Sequence, residues 1–138
     1  KKGYRFSIRL NNTSDISPES FYIDRDGKKI NILQLYPDVQ FYDYTKVPKR
    51  VELTKKYPNY DITFSFSGYN METCERMLKE GSRVAMVFND VPESYMGYEV
   101  IDGDAYDMRY LDPNNVIIGL KFKRVKNKVQ PNYKFVIQ

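Results

Sequence analysis

The chain has 138 residues, with 22 lysines and arginines against 18 aspartates and glutamates, one cysteine and no histidine. This length fits a single domain with its own core. The lack of histidine excludes Ser-His and Cys-His catalysis within these residues, and the single Cys74 excludes an internal disulfide or a cysteine-based zinc site. No apolar run approaches the roughly 18–20 residues that span a bilayer, so we expect no membrane contact and a cytoplasmic, reducing location.

Strand patterns recur along the chain. Period-2 alternation of apolar and polar residues predicts strands in the first half, and short continuous apolar runs predict buried strands in the second half. The predicted strands cover residues 4–10, 39–44, 61–67, 83–88 and 116–122, and residues 133–137 are predicted as an additional edge strand.

Helical segments are predicted between the first four strands. Ser17 before Pro18 is typical of a helix start, and Asn70 and Gly81 are typical of the two ends of another helix. A turn is expected at residues 24–27, and the helices are predicted to begin at Ser17 and to cover residues 29–36, 49–57 and 71–80.

This alternation of strands and helices is typical of βα units joined by right-handed crossovers. The sequence therefore predicts a single α/β domain over residues 1–123, with a mainly parallel sheet of about five strands and helices packed on it. A basic tail with the edge strand is expected to follow over residues 124–138.

Polar side chains follow every predicted strand. Because ligands of parallel α/β sheets bind beyond the carboxyl ends of the strands, we expect these side chains to form one polar rim. Lys46 beside Thr45 is suited to an anion such as phosphate, although an exposed lysine with no ligand has the same pattern. The predicted binding residues are Asn11, Asp15, Tyr44, Lys46, Ser65, Asp102, Asp104, Asp107 and Arg109.

The stretch over residues 100–113 is unusually acidic for a segment between two predicted core strands. Asp102, Asp104 and Asp107 supply the oxygen ligands that Mg²⁺ or Ca²⁺ prefer, although the spacing is not that of an EF-hand. The alternative is structural: Asp102 and Gly103 form a turn, while Asp107 and Arg109 pair with neighbouring side chains. The sequence leaves both interpretations open.

A basic group begins at the end of the last predicted core strand. Such groups attract phosphate backbones, and the alternative is ordinary solvated surface. The predicted basic patch consists of Lys121, Lys123, Arg124, Lys126 and Lys128.

The order of several short motifs resembles the C-terminal part of the gene-product-88-type proteins of bacteriophages and plasmids. The likeness covers roughly residues 4–123, and the motifs are specific together rather than singly. They are Phe6-Ser-Ile-Arg-Leu-Asn-Asn-Thr-Ser-Asp15, Phe41-Tyr-Asp-Tyr-Thr-Lys46, Thr63-Phe-Ser65, Val84-Ala-Met-Val-Phe88, Val100-Ile-Asp-Gly-Asp104, Asp107-Met-Arg109 and Val116-Ile-Ile-Gly-Leu-Lys121.

This resemblance implies a radical-SAM-like partial barrel and an origin on a mobile element in a bacterial host cell. It also implies, for longer relatives, an N-terminal cysteine cluster of the kind that holds an iron–sulfur centre. Since this chain has only Cys74, iron–sulfur chemistry is expected only if an upstream segment supplies the cysteines.

Three functions from different classes remain open. The first is an accessory domain that binds a host or viral protein, or nucleic acid through its basic face. The second is the C-terminal portion of a radical-SAM-like enzyme. The third is an Mg²⁺-dependent phosphoester enzyme that uses the acidic stretch, with Lys46 or Arg109 on phosphate.

Overall fold

The structure, a computed structural model, describes residues 3, 5–123 and 133–138. In chain order, the strands are β1 (Ser7–Arg9), β2 (Ile23–Arg25), β3 (Lys28–Ile30), β4 (Gln40–Thr45), β5 (Tyr60–Ser65), β6 (Val84–Phe88), β7 (Ser94–Tyr95), β8 (Tyr98–Asp102), β9 (Ile117–Lys121) and β10 (Val136–Ile137). The α-helices are α1 (Ile32–Leu35), α2 (Pro48–Val51), α3 (Leu53–Lys56) and α4 (Met71–Lys79), and single 3₁₀ turns lie at Pro18–Ser20 and Arg109–Leu111.

Eight of these strands form one sheet in the order β1-β4-β5-β6-β9-β8-β7, with β10 also paired to β6. All pairs in it are parallel except the β7–β8 hairpin, and β2 and β3 form a separate antiparallel hairpin. The prediction of a single mixed α/β domain with a mainly parallel sheet is confirmed. The expected number of about five strands is an underestimate.

The helices cover one face of the sheet. Phe64 of β5 and Val84 of β6 lie side by side in a buried cluster with Leu78 of α4. A second cluster joins Leu33 of α1 to Ile62 of β5, and α2 and α3 pack against its rim. Burial of each such side chain contributes about 1.5–3 kcal/mol, so these clusters hold all the described helices to this face.

The opposite face carries no described α-helix. Ala85 and Ile118 are neighbours across β6 and β9 and form a small buried cluster there, with Tyr44 packed against it. Residues 103–112 cross this face from the end of β8 back to β4. The crossing begins at Gly103, where an added Cβ would lie 2.6 Å from the Ile118 side chain, so only glycine fits without a shift.

Several predicted elements differ from those observed. The segment predicted as a helix over 29–36 divides at Asn31 into β3 and α1, because Asn31 caps α1 through a reciprocal pair of bonds with Gln34. The helix expected from Ser17 is a single 3₁₀ turn. The helix predicted over 49–57 is two shorter ones, α2 and α3, flanking Glu52.

The edge strand predicted near the C-terminus forms as β10, and β6 is its single partner among the described strands. β10 pairs with the second half of β6, through Val136 beside Val87 and Ile137 beside Phe88. β5 pairs only with the first half of β6. β10 therefore lies beside β6 in line with β5, beyond the carboxyl end of β5.

None of the described helices is long and apolar enough to cross a membrane. The longest, α4, has nine residues.

A candidate ligand-binding cleft at the carboxyl ends

An open cleft of about 860 Å³ lies at the carboxyl ends of the strands, on the face without helices. Its floor includes the apolar side chains Ala85 and Val87 of β6 and Leu120 of β9, and Phe66 and Phe135 also line it. Six of the residues predicted for the polar rim line this cleft: Asp15, Tyr44, Lys46, Ser65, Asp104 and Asp107.

Asp107 is the centre of one wall. Its carboxylate accepts hydrogen bonds from the Tyr42 hydroxyl at 3.2 Å and the Tyr44 hydroxyl at 3.0 Å, and pairs with the Arg9 guanidinium at 3.3 Å. Arg9 also stacks over the Tyr44 ring, 4.7 Å from its centroid. Burial, together with the Asp107 charge, raises the pKa of Tyr44, so its hydroxyl stays a protonated donor at neutral pH.

Asp15 is held in the cleft lining by donors from the end of β4. Its carboxylate accepts from the Thr45 hydroxyl at 2.8 Å and the Lys46 backbone N–H at 2.8 Å, and pairs with Arg50. Burial acts to raise the pKa of Asp15, but these hydrogen bonds and the Arg50 charge outweigh it and hold the pKa below its ordinary value. Asp15 is therefore ionised, and its contacts hold the loop over residues 11–16 against the end of β4.

Replacing Asp15 with asparagine should lower stability at neutral pH. The lowered pKa means that the carboxylate stabilises the fold above the ordinary aspartate pKa of about 3.9 and that this contribution is lost as the pH falls through the lower folded value. Urea midpoints of wild type and D15N should therefore differ most at pH 7 and converge below about pH 4. The exposed Asp38 provides the control, since D38N should match wild type throughout; a pH-independent D15N defect would contradict this assignment.

The three carboxylates predicted as metal ligands are engaged separately. Asp102 accepts the Asp104 backbone N–H at 2.8 Å, which is the predicted turn. Asp104 accepts the Lys121 backbone N–H at 2.8 Å and pairs with Lys123 at 3.0 Å, and these contacts lower its pKa. Asp107 faces the tyrosines of β4. No group of three metal-ligating side chains occurs in the described part of the chain, so this donor set does not fit Mg²⁺.

Arg109 is not a rim residue. Its side chain is completely buried, lies 3.2 Å from Asp112 and donates to the Tyr106 carbonyl. The backbone carbonyl of Arg109 in turn accepts from Arg83. The structural interpretation of this arginine, pairing with neighbouring side chains, is the one observed, and Arg109 does not line the cleft.

Asn11 is buried beneath the rim rather than exposed on it. Its side-chain amide donates to Asp43 at 2.7 Å and to the Ile16 carbonyl at 3.1 Å, and its oxygen accepts from Ser14 at 2.7 Å. Asn11 therefore shapes the loop over residues 11–16 that forms one side of the cleft. Neither Asn11 nor Asp102 is among the residues that line the cleft.

Lys46 differs from the other charged residues of the cleft. Arg9, Asp15, Asp104 and Asp107 all have oppositely charged partners. No hydrogen bond or ion pair of the Lys46 ammonium is found among residues 3, 5–123 and 133–138, and the side chain is exposed. Uncharged polar side chains share the cleft with it: Asn12, Thr13, Ser14, Ser65 and Ser67.

Only part of the predicted basic patch can be described. Lys121 is paired with Asp90 and Lys123 with Asp104, so both cations are already partly neutralised. Arg124, Lys126 and Lys128 lie outside the described residues.

Cys74 does not fit an iron–sulfur centre. Its side chain is completely buried in the helical face of the core, and burial raises the pKa of the thiol to about 11. A metal-bound cysteine is a thiolate, which this environment disfavours. Any cluster would require donors other than the described residues of this chain.

The sequence did not identify three residues that line the cleft. Arg9 is the last residue of β1, and its alternation with Ile8 was a usable signal. Tyr106 lies in a loop with no periodic pattern, and Phe135 reaches the cleft only because β10 enters the sheet.

Comparison with known proteins identifies a family for this chain. No curated protein and no solved structure matched the chain. The family model described as Gene product 88 matches residues 1–134, which is nearly the whole sequence and agrees with the resemblance drawn from its motifs. The chain belongs to the Gene product 88 family.

Proposed function

We propose that this chain is a ligand-binding domain and that its carboxyl-end cleft binds a small molecule through an anionic group, phosphate being the best fit. The observation that carries the proposal is Lys46, the cation of the cleft lining with no internal partner among the described residues. Hydroxyl groups of Thr13 and Ser65 share the cleft and are suited to hydrogen bonds with phosphate oxygens. The volume of about 860 Å³ lies in the range of small-molecule sites.

The cleft supports this function better than the predicted basic patch supports nucleic-acid binding. Both patch lysines that can be described already have carboxylate partners. Binding of a host or viral macromolecule by the tail stays a prediction, as does a mobile-element origin.

A radical-SAM-like enzyme is the second candidate, and one observation favours it. Every described α-helix packs on a single face of a parallel sheet, and the cleft lies on the other face. That is the layering of a barrel wall, with helices outside and a ligand inside. The partial-barrel curvature itself stays a prediction, and the described residues provide no cysteine ligand set.

Replacing Lys46 with glutamine should weaken anion binding. Titration calorimetry with phosphate, pyrophosphate and sulfate at low ionic strength is expected to show binding to wild type, weakened roughly 10-fold or more in K46Q, because a hydrogen bond to a charged group contributes about 1.5–3 kcal/mol. Added salt should reduce the wild-type affinity further.

Lys29→Gln is the matched control. Lys29 is an exposed lysine of the β2–β3 hairpin and does not line the cleft, so K29Q removes the same charge elsewhere. K29Q should bind anions like wild type. Equal affinities of K46Q and K29Q, or no binding of any of the three anions to wild type at millimolar concentration, would overturn the proposal.

A further inference from the structure

Tyr106 presents an aromatic ring in the wall of the same cleft. The Arg109 guanidinium lies over one face of the ring, 4.7 Å from its centroid. Tyr106 nevertheless stays 42% exposed and lines the cleft. The guanidinium covers one face of the ring, which leaves the other face for a ligand to stack on.

The ring is fixed before any ligand arrives. Its hydroxyl donates to Asp112, and Arg109 is anchored on both Asp112 and the Tyr106 carbonyl. Arg109 and Asp112 are themselves buried. A planar group that stacks on this ring therefore meets a preorganised surface, and little side-chain entropy is lost on binding.

The ring and Lys46 belong to one continuous site. Asp107, the neighbour of Tyr106, is hydrogen-bonded to the Tyr44 hydroxyl at 3.0 Å. Lys46 follows two residues after Tyr44, which is about 7 Å of extended chain. The apolar floor formed by Ala85 and Leu120 lies in the same cleft. The site thus combines a stacking platform, an apolar floor and a cation.

We infer that the ligand is a nucleoside phosphate whose base stacks on Tyr106 and whose phosphate contacts Lys46. This inference rests on the proposed function, because it names the ligand class of the same cleft. Aromatic stacking accepts any base, since every base has a π-face, so the platform predicts affinity for nucleotides without fixing which base is preferred.

The test compares whole nucleotides with their parts by titration calorimetry. The probes are AMP, GMP, CMP and UMP, the nucleoside of the best of them, and ribose 5-phosphate. Wild type should bind at least one nucleotide roughly 5- to 100-fold more tightly than ribose 5-phosphate, the range that one stacked base supplies. Tyr106→Leu should remove this preference and leave ribose 5-phosphate binding unchanged.

Tyr106→Phe is the matched control, because it keeps the ring and loses only the hydroxyl bonded to Asp112. Y106F should keep the preference for nucleotides over ribose 5-phosphate, because the ring and the Arg109 guanidinium over it remain, which separates stacking from a disturbed loop. If ribose 5-phosphate binds wild type as tightly as every nucleotide, or Y106L keeps the preference, the inference fails while the anion site stands. If no phosphate compound binds, both fail. A 5′-phosphorylated oligonucleotide that binds more tightly than every mononucleotide would overturn a free nucleotide as the ligand.

Discussion

Replacement of Arg50 by methionine should lower the free energy of unfolding by about 3–5 kcal/mol, the usual loss when one partner of a buried ion pair is removed. Arg50 is 4% exposed and lies among three carboxylates: 2.5 Å from Asp15, 3.5 Å from Asp43 and 3.8 Å from Glu19. It also donates to the Tyr60 hydroxyl at 2.7 Å. Methionine fills much of the space but leaves this acidic group without its cation.

The position of these carboxylates makes the loss large. The side chain of Asp43 is completely buried, and that of Glu19 is nearly so. Asn11 and Tyr60 still donate to Asp43 in the variant, but they carry no charge. In a medium of low dielectric, mutual repulsion and desolvation of the carboxylates are then no longer offset by an opposite charge.

Urea denaturation at pH 7 measures the effect, and Arg76→Met is the matched control. Arg76 pairs with Glu80 on the surface of α4, with side chains 53% and 54% exposed, so R76M should cost less than about 0.5 kcal/mol. Because protonation relieves the acidic group, the difference between R50M and wild type should shrink as the pH falls from 7 towards 4.5.

A conservative variant covers the case in which R50M does not fold. Arg50→Lys keeps the charge and loses the planar fork of donors, so it should fold with an intermediate loss. If R50M were as stable as R76M, or if acid did not narrow its deficit, the view of Arg50 as the neutralising cation would be wrong.

The central strands could be predicted from the sequence because alternation along them reports burial directly. In β5, the buried residues Tyr60, Ile62 and Phe64 point towards the helices at every second position, and the polar residues Asp61, Thr63 and Ser65 fall between them. The same pattern placed the ends of β4 and β5 to within two residues, and polar side chains near those ends, Tyr44, Lys46 and Ser65, line the cleft.

The β7–β8 hairpin could not be predicted in this way. β8 is nowhere fully buried, so its alternation is weak. The turn places Met96 at φ 55° and Gly97 at φ 81°, both in the left-handed region. Two-residue hairpin turns usually signal this with Asn-Gly or Asp-Gly, and methionine at the first position hides the signal.

Chemical type alone also misplaced two polar residues. Asn11 and Arg109 follow strands in the pattern of rim residues, yet both are almost completely buried in hydrogen-bonded networks. A sequence specifies that such groups need partners but not whether the partner is a ligand or the protein itself. Only the partners found in the structure, Asp43 for one and Asp112 for the other, separate the two cases.

Substitution of Gly68 by alanine should be the second severe change, with a loss of about 2–5 kcal/mol. Gly68 has φ +94°, which costs a residue with a Cβ about 1–2 kcal/mol. The new Cβ would also lie 2.8 Å from the Lys134 carbonyl carbon and 2.9 Å from the Phe135 nitrogen. These are backbone atoms that cannot rotate away, so overpacking adds about 1–3 kcal/mol.

Gly81→Ala separates the two contributions. Gly81 has φ +87° and nothing within 4 Å of an added Cβ, so G81A should show the backbone cost alone. Urea denaturation of both variants gives the difference. Equal losses in G68A and G81A would mean that the 134–135 backbone does not press on Gly68.

The position of the clash gives this substitution a local effect as well. Gly68 supports the chain just before β10, whose Ile137 carbonyl accepts the Asn89 backbone N–H at 2.8 Å. Hydrogen exchange of the Asn89 amide should therefore accelerate in G68A and not in G81A. Because Phe135 also lines the cleft, G68A should weaken phosphate binding while Lys46 remains in place. We therefore expect the shape of the cleft to depend on β10, and the position of β10 to depend on the lack of a side chain at residue 68.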